Sequence, residues 1–330
     1  MRRIAFLMAC AIACASPLTA TAVSHDSARP PAGDVMTRYR TVNVQGLNIF
    51  YREAGDSHAP AVLLLHGFPS SSRMYDKLMP VLAQRFHVIA PDYPGFGHSD
   101  APPPETFAYT FDHLAAVIDA FTQQLGIQHY ALFVQDYGGP VGFRLAQMHP
   151  ERIAAIVVQN AVAHEEGLGP LWTTRRQYWA NREAYADKLR ANLISLEAAK
   201  QRHVGTDPDP SLYDPDAWTD EFAFLSRPGE GRIQEDLFYD YRTNVASYPA
   251  WQAYLKQHHP PMLVVWGKYD PSFTVAGASA YQKDVPDAEV HILDAGHFAM
   301  DTKAQEVADL TLQFLNRQRD HMVRMAGEGR

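Results

Sequence analysis

The sequence predicts an α/β fold: a mostly parallel sheet flanked by helices and interrupted once by a helical insertion. Three observations lead there. Short, unbroken apolar runs such as Ala61–Leu65 and residues 153–158 recur along the chain, as expected of strands buried on both faces. Stretches of helical period separate them, the alternation that builds parallel sheets. Over residues 162–251 the alternation stops and the chain turns polar, aromatic and helical in pattern, too long a stretch for a loop within a compact core.

Taken in order, residues 42–44 and 47–52 read as a hairpin turning at Gln45-Gly46. Ala61–Leu65 is the first doubly buried strand, followed by a helix at 72–83 and a strand at 87–90. Phe111–Gln124 places Leu114, Val117, Ile118 and Phe121 on one helical face, with Leu125 just beyond. Residues 131–135 form another buried strand, a helix starts near Gly138, and Ile153–Gln159 follows. After the insertion come a strand at 262–266, a helix at 276–283, a strand at 290–293, and a last helix with Val307, Leu310, Thr311 and Phe314 on one face. The expected organisation is a first core segment at 38–161, a helical cap at 162–251, a second core segment at 252–318 and a tail at 319–330.

The beginning of the chain has a different character. Arg2 and Arg3 precede an almost unbroken apolar stretch at 4–15, and Ala20-Thr21-Ala22 has the small-x-small spacing of a cleavage site. That is the layout of a secretory signal peptide over residues 1–22. The apolar stretch falls short of the ~20 residues that span a bilayer. Residues 23–37, with Pro30, Pro31 and Gly33, read as a linker. The expectation is export to the periplasm or medium after cleavage near Ala22; the rival reading is a lipid-modified Cys10 or Cys14. Those are the two cysteines of the chain, so a protein cut after Ala22 has no thiol nucleophile, disulfide or cysteine metal site. With 46% hydrophobic residues, 20% charged and a formal net charge of -8, the composition is globular and gives no basis for a nucleic-acid partner. His258-His259 stand without other ligands nearby in sequence, so no metal is expected, and no cofactor. No sequence signal speaks to oligomeric state.

The chemistry converges on the ends of the apolar strands. In Phe133-Val134-Gln135-Asp136-Tyr137-Gly138-Gly139 a buried strand runs straight into a helix through a turn bounded by small residues. Such a turn forces its central residue into a strained conformation above the sheet, the nucleophile elbow usually met with a serine. Here that residue is Asp136. By itself Asp136 could be a helix cap; three further segments argue otherwise. His66-Gly67-Phe68-Pro69 follows a buried strand and can aim the Phe68 N–H above Asp136, forming an oxyanion hole with the Tyr137 N–H, while His66 itself reads as a structural hydrogen-bonder. Asp270, in Gly267-Lys268-Tyr269-Asp270-Pro271, stands where a triad acid belongs. His297, in Asp294-Ala295-Gly296-His297-Phe298, is placed as the general base. Each follows a strand end, where open α/β sheets carry their sites.

Together these segments resemble the α/β-hydrolase superfamily over residues 39–317, with the triad order Asp…Asp…His that the fold uses. Val134-Gln135-Asp136-Tyr137-Gly138-Gly139 resembles its Asp-nucleophile branch, which holds haloalkane dehalogenases, epoxide hydrolases and haloacetate dehalogenases. The resemblance implies an α/β-hydrolase fold with an inserted cap, a small-molecule substrate and water as co-substrate. Asp92-Tyr93-Pro94-Gly95-Phe96-Gly97-His98-Ser99 resembles a structural loop of the family. Asn160 follows the strand that carries the triad acid in some dehalogenases; an amide cannot serve, which favours Asp270. A carboxylate is ionised at neutral pH and can displace a leaving group at a saturated carbon. The product is an alkyl ester of Asp136, which water activated by His297 then hydrolyses. Attack on a carboxylic ester would give an anhydride instead, and the chain contains no Gly-x-Ser-x-Gly segment, so a serine esterase ranks last.

What leaves the carbon is a divided question. Similarity to haloalkane dehalogenases would imply a Trp after the nucleophile and often an Asn after the third strand, where Tyr137 and Phe68 stand here. An epoxide oxygen needs a proton donor, and Asp240-Tyr241-Arg242 resembles the segment carrying a cap tyrosine in epoxide hydrolases, although haloacetate dehalogenases have a similar Tyr-Arg. Tyr178 is the candidate second tyrosine, and Trp172, Trp179, Tyr185 and Trp218 suit an apolar pocket roof. Tyr241, Tyr178 and Trp179 are thus the expected substrate contacts. Val134-Gln135-Asp136 points toward dehalogenases, since epoxide hydrolases have Gly-His before the Asp. The expectation is an epoxide hydrolase on small apolar epoxides. Haloalkane or haloacetate dehalogenation is the alternative, and a non-catalytic binding protein on a hydrolase scaffold the alternative of another class.

Overall fold

Strands that are apolar at every position need cover on both faces. The computed structural model, which describes residues 35–328, supplies it. β1 (Arg38–Val44) and β2 (Leu47–Ala54) form an antiparallel hairpin through Gln45 and Gly46, both at positive φ. β3 (Ala61–Leu65), β4 (His87–Pro91), β5 (Tyr130–Gln135), β6 (Ile153–Gln159), β7 (Met262–Gly267) and β8 (Glu289–Leu293) complete one eight-stranded sheet in the order β1-β2-β4-β3-β5-β6-β7-β8. β2 pairs antiparallel with β4, and all later pairings are parallel.

Helices α1 (Met79–Leu82), α2 (Phe111–Gln124) and α3 (Gly138–Met148) alternate with the early strands. α4 (Trp172–Ala180), α5 (Arg182–Leu193), α6 (Leu196–Val204), α7 (Pro215–Leu225) and α8 (Glu230–His258) lie between β6 and β7, and α9 (Val275–Ala280) and α10 (Met300–Glu328) close the chain. Successive strand side chains point to opposite faces. Leu63 and Leu65 accordingly join a core with Val117 and Phe121 of α2 and Val141 and Leu145 of α3, while Val62 and Leu64 join one with Met79 of α1 and Val307 and Phe314 of α10.

Three elements differ from expectation. The helix expected at 72–83 is a 3-10 turn (Ser72–Tyr75) followed by short α1, because Pro80 cannot donate inside a helix and takes its first turn instead. The cap boundary expected at 251 falls inside α8, which continues with Tyr254 and Leu255 buried; it stops where His259 takes φ +42 before Pro260 and Pro261. Residues 319–328, expected as a tail, continue α10. The signal peptide expected at 1–22 and linker residues 23–34 lie outside the described residues. Among the described residues no helix is long and apolar enough to cross a membrane.

A buried ion cluster ties the inserted helices to the core. His203 of α6 sits between Glu221 of α7 (Nε2, 2.9 Å) and Asp301 of α10 (Nδ1, 2.7 Å), and its ring stacks on Phe298 at 4.4 Å. Burial works against charge on this imidazole, but the two carboxylates outweigh it and push its pKa up to about 10.

Candidate active site

The residues just beyond β3, β5, β6, β7 and β8 meet at one spot. Asp136 follows β5 directly and takes φ +47. Its N–H donates to the Asn160 carbonyl (3.2 Å) and its carbonyl accepts from the Gly139 N–H (3.0 Å), so the strained residue is held from both sides. A Cβ on Gly138 would come within 2.0 Å of the Leu65 carbonyl oxygen, and one on Gly67 within 2.4 Å of the Asp136 Cβ. Glycine is therefore a steric requirement at both positions.

The Asp136 residue is 8% exposed. Its Oδ1 accepts from the Phe68 N–H at 2.9 Å, and the Tyr137 N–H also faces the carboxylate. Oδ2 lies 3.6 Å from His297 Nε2. Burial raises the Asp136 pKa; His297, the two N–H groups and Arg175 pull it back without cancelling the rise. His297 Nδ1 donates to Asp270 Oδ2 at 2.7 Å. Burial opposes charge on His297, but Asp270 and then Asp136 prevail and hold its pKa above the ordinary value.

Asp270 is itself held by four donors. Its Oδ1 accepts from the Ser272 and Phe273 N–H groups (2.7 and 3.0 Å), and its Oδ2 from Asn160 Nδ2 (2.8 Å) as well as His297. Asn160, at φ +41, also accepts from the Gly267 N–H at 2.8 Å, stitching the ends of β6 and β7 together. The Gln135 amide meets His297 Nε2 at 2.9 Å, where it donates to a neutral imidazole or, turned over, accepts from an imidazolium. His66 is buried, donates from Nδ1 to the Gly67 carbonyl and accepts the Tyr93 N–H, so it shapes the loop.

Asp136 faces a chamber of about 10 Å³, lined also by Phe68, Tyr137, Trp172, Arg175, Arg202, Phe238, Tyr241, Ser272 and His297. That is room for about one water. A cleft of about 540 Å³ lies outside it, and Arg175, Arg202 and Ser272 line both. The Tyr241 hydroxyl is buried; it approaches that of Tyr248 without closing a hydrogen bond of ordinary geometry. Burial raises its pKa well above the usual tyrosine value, so it stays protonated.

The structure thus brings together Asp136, His297, Asp270, Phe68, Tyr137 and Tyr241. Tyr178 and Trp179 stay outside the chamber. Tyr178 is rotated off that face of α4 and donates to the Glu235 carbonyl at 3.0 Å. Trp179 shares Trp172's side of α4 but lies about 10 Å further along the helix. It donates to the Phe238 carbonyl (2.7 Å) and stacks behind Tyr241. Trp218 packs on His203 instead. Nor is the lining the apolar one expected, because Arg175 and Arg202 form part of it. A helical signal for both existed: each follows a buried residue by three positions, Trp172 and Ala199 respectively, and so shares its face.

Residues 60–304 match the family described as alpha/beta hydrolase fold, and the chain belongs to that family. It is an α/β-fold hydrolase, and haloalkane dehalogenases are among the proteins similar to it in sequence. An uncharacterized hydrolase of Saccharomyces cerevisiae is 42% identical over 282 residues, covering 84% of this chain and 96% of the relative. A haloalkane dehalogenase of Psychrobacter cryohalolentis is 28% identical over 282 residues, covering 82% of this chain and 88% of the relative. Among solved structures, the epoxide hydrolase CorEH superposes with a TM-score of 0.71 at 19% identity, over 86% of this chain and 100% of that one, a likeness of fold.

Proposed function

We propose that the protein hydrolyses epoxides to diols through a covalent ester on Asp136. The observation that carries this reading is Tyr241, which lines the same chamber as Asp136 and whose buried hydroxyl closes no ordinary hydrogen bond. Oδ2 is the carboxylate oxygen free to attack, since Oδ1 is engaged by Phe68 N–H. As the Oδ2–carbon bond forms, the ring C–O bond breaks and its electron pair takes the Tyr241 proton. His297 Nε2 then removes a proton from water, which attacks the ester carbonyl. The oxyanion develops on Oδ1 beside the Phe68 and Tyr137 N–H groups, where each donor is typically worth about 2.7–4 kcal/mol. Collapse releases the second hydroxyl with the water's remaining proton, and the imidazolium proton restores Tyr241.

A halide leaving group finds no free indole N–H in the chamber wall, because those of Trp172 and Trp179 are committed to the carbonyls of Ser272 and Phe238. The remaining N–H donors, on Arg175 and Arg202, stand on the side that the chamber shares with the cleft. A panel of epoxides and haloalkanes, scored for diol and halide release, tests the reading. His297→Gln should accumulate a covalent adduct visible by intact-mass spectrometry, and Tyr241→Phe should slow ring opening by about a hundredfold. Wild-type rates in Tyr241→Phe, or halide release outpacing diol formation, would overturn it.

A further inference from the structure

The chamber contains two cations that the ester chemistry does not use. Arg175 of α4 and Arg202 of α6 stand between the cleft and Asp136. Arg202 is 8% exposed and Arg175 is half-buried. Neither forms an ion pair with any carboxylate among the described residues, including Glu197 on the cleft wall. Arg175 reaches the Ser272 hydroxyl at 3.3 Å and lies over the Trp172 ring; Arg202 donates to the Leu193 carbonyl at 3.3 Å and lies over the Phe68 ring. Other arginines of α4 and α5 are paired: Arg176 with Glu165, Arg182 with Asp236 and Arg190 with Glu235.

Burying unpaired charge is unfavourable, and placing two like charges together adds to it. Burial lowers both guanidinium pKa values, and the neighbouring Arg175 contributes to bringing Arg202 down to about 10. Asp270 is already satisfied by His297, Asn160 and two backbone donors. That leaves Asp136 as the one carboxylate of the chamber besides these two cations; Glu221 also acts on Arg202, but it pairs with His203 and not with the arginine. No carboxylate lining the chamber pairs with either guanidinium.

We propose that the substrate supplies the missing anion: it is a short epoxide bearing a carboxylate, which Arg175 and Arg202 hold while the ring carbon meets Asp136 Oδ2. The epoxide half of this statement rests on the reading above; the carboxylate half rests on the arginines. Planar guanidinium groups match a carboxylate in shape and donor spacing. Their place at the boundary means that an acid arriving through the cleft meets them before it meets Asp136.

Two experiments separate the halves. The first compares kcat/KM for a 2,3-epoxyalkanoate and its matched primary amide. The acid should be favoured by about 100-fold. Arg175→Gln and Arg202→Gln should each remove most of that preference by lowering kcat/KM for the acid far more than for the amide, with far-UV circular dichroism reporting that the variants fold. Equal turnover of acid and amide by wild type, or an equal loss on both substrates in the variants, would overturn the proposal, the latter because the arginines would then be acting on Asp136. The second measures propionate binding to Asp136→Asn by calorimetry, with propionamide as control. Propionate should bind and the amide should not; absence of propionate binding overturns the anion site whatever turnover shows. If propionate binds but neither epoxide opens, the epoxide reading falls and the anion site stands.

Discussion

Raising the pH should loosen the His203 cluster in a way that can be worked out in advance. The imidazole's ordinary pKa is 6.5 and its folded value is about 10. A group raised on folding contributes fully below its unfolded pKa and loses that contribution as pH climbs through the folded one. Between those values the folded chain keeps a proton that the unfolded chain has released. Stability should therefore fall by about 1.4 kcal/mol per pH unit, or about 4 kcal/mol from pH 6.5 to 9.5. His203→Gln removes the cation and leaves Glu221 and Asp301 facing each other, which should cost about 3–5 kcal/mol at pH 6.5 and abolish this cluster's share of the slope. Urea unfolding of both proteins at pH 6.5, 8 and 9.5 measures the difference, so other titrating groups cancel. Wild-type and variant stabilities that run parallel across this window would refute the reasoning.

Other consequences are equally checkable. His297 must be neutral to accept a proton, and its pKa is raised, so the acidic limb of kcat should lie above pH 6.5. In Asp270→Asn, burial is no longer opposed by that carboxylate, and the limb should shift to lower pH as kcat falls; an unmoved limb in a pH–rate profile counts against the assignment. Asn160→Ala removes the side-chain bonds to Asp270 and Gly267 and should lower kcat by about tenfold, with KM little changed, as expected for loss of one charge-assisted hydrogen bond. Gly138→Ala drives a methyl into the Leu65 carbonyl and should destabilise the protein by about 1–3 kcal/mol, read by thermal unfolding.

Much of this was legible in sequence because the deciding signals are local. A doubly buried strand must be apolar throughout, and an elbow needs small residues at fixed offsets. Hence β3, β5 and β6 and the Asp136, Asp270 and His297 positions could be located without a structure. Pro80 in a helical pattern is a local signal as well, and it marks the break between the 3-10 turn and α1. The inner wall of the site was harder. Arg175 and Arg176 are neighbours of identical chemistry, yet one lines the chamber and the other pairs with Glu165 at the surface. Which of them turns inward depends on how α4 lies across the sheet, a tertiary property. The same geometry places Trp172 in the chamber wall and Trp179 behind Tyr241, although both are cap tryptophans of equal hydrophobic appeal.

The unbroken run of α8 has a mechanical consequence. Its 29 residues make a rod of about 43 Å, and the proline inside it, Pro249, lies C-terminal to the residues that face the chamber. The rod carries Phe238 and Tyr241 over the chamber and is bolted to the core, by Asp240 accepting the Phe111 N–H at 2.8 Å and by Asn244 accepting from Arg144 at 2.7 Å. A space that fits about one water admits an epoxide only if a wall yields, and a bolted rod is the stiffest wall available. The cleft is bordered instead by the shorter helices α4 to α6, which carry Arg175 and Arg202. On the proposed reading, a wall that yields on that side would leave Tyr241 and Asp136 at their spacing, and the guanidinium contacts would be assembled as the substrate comes in.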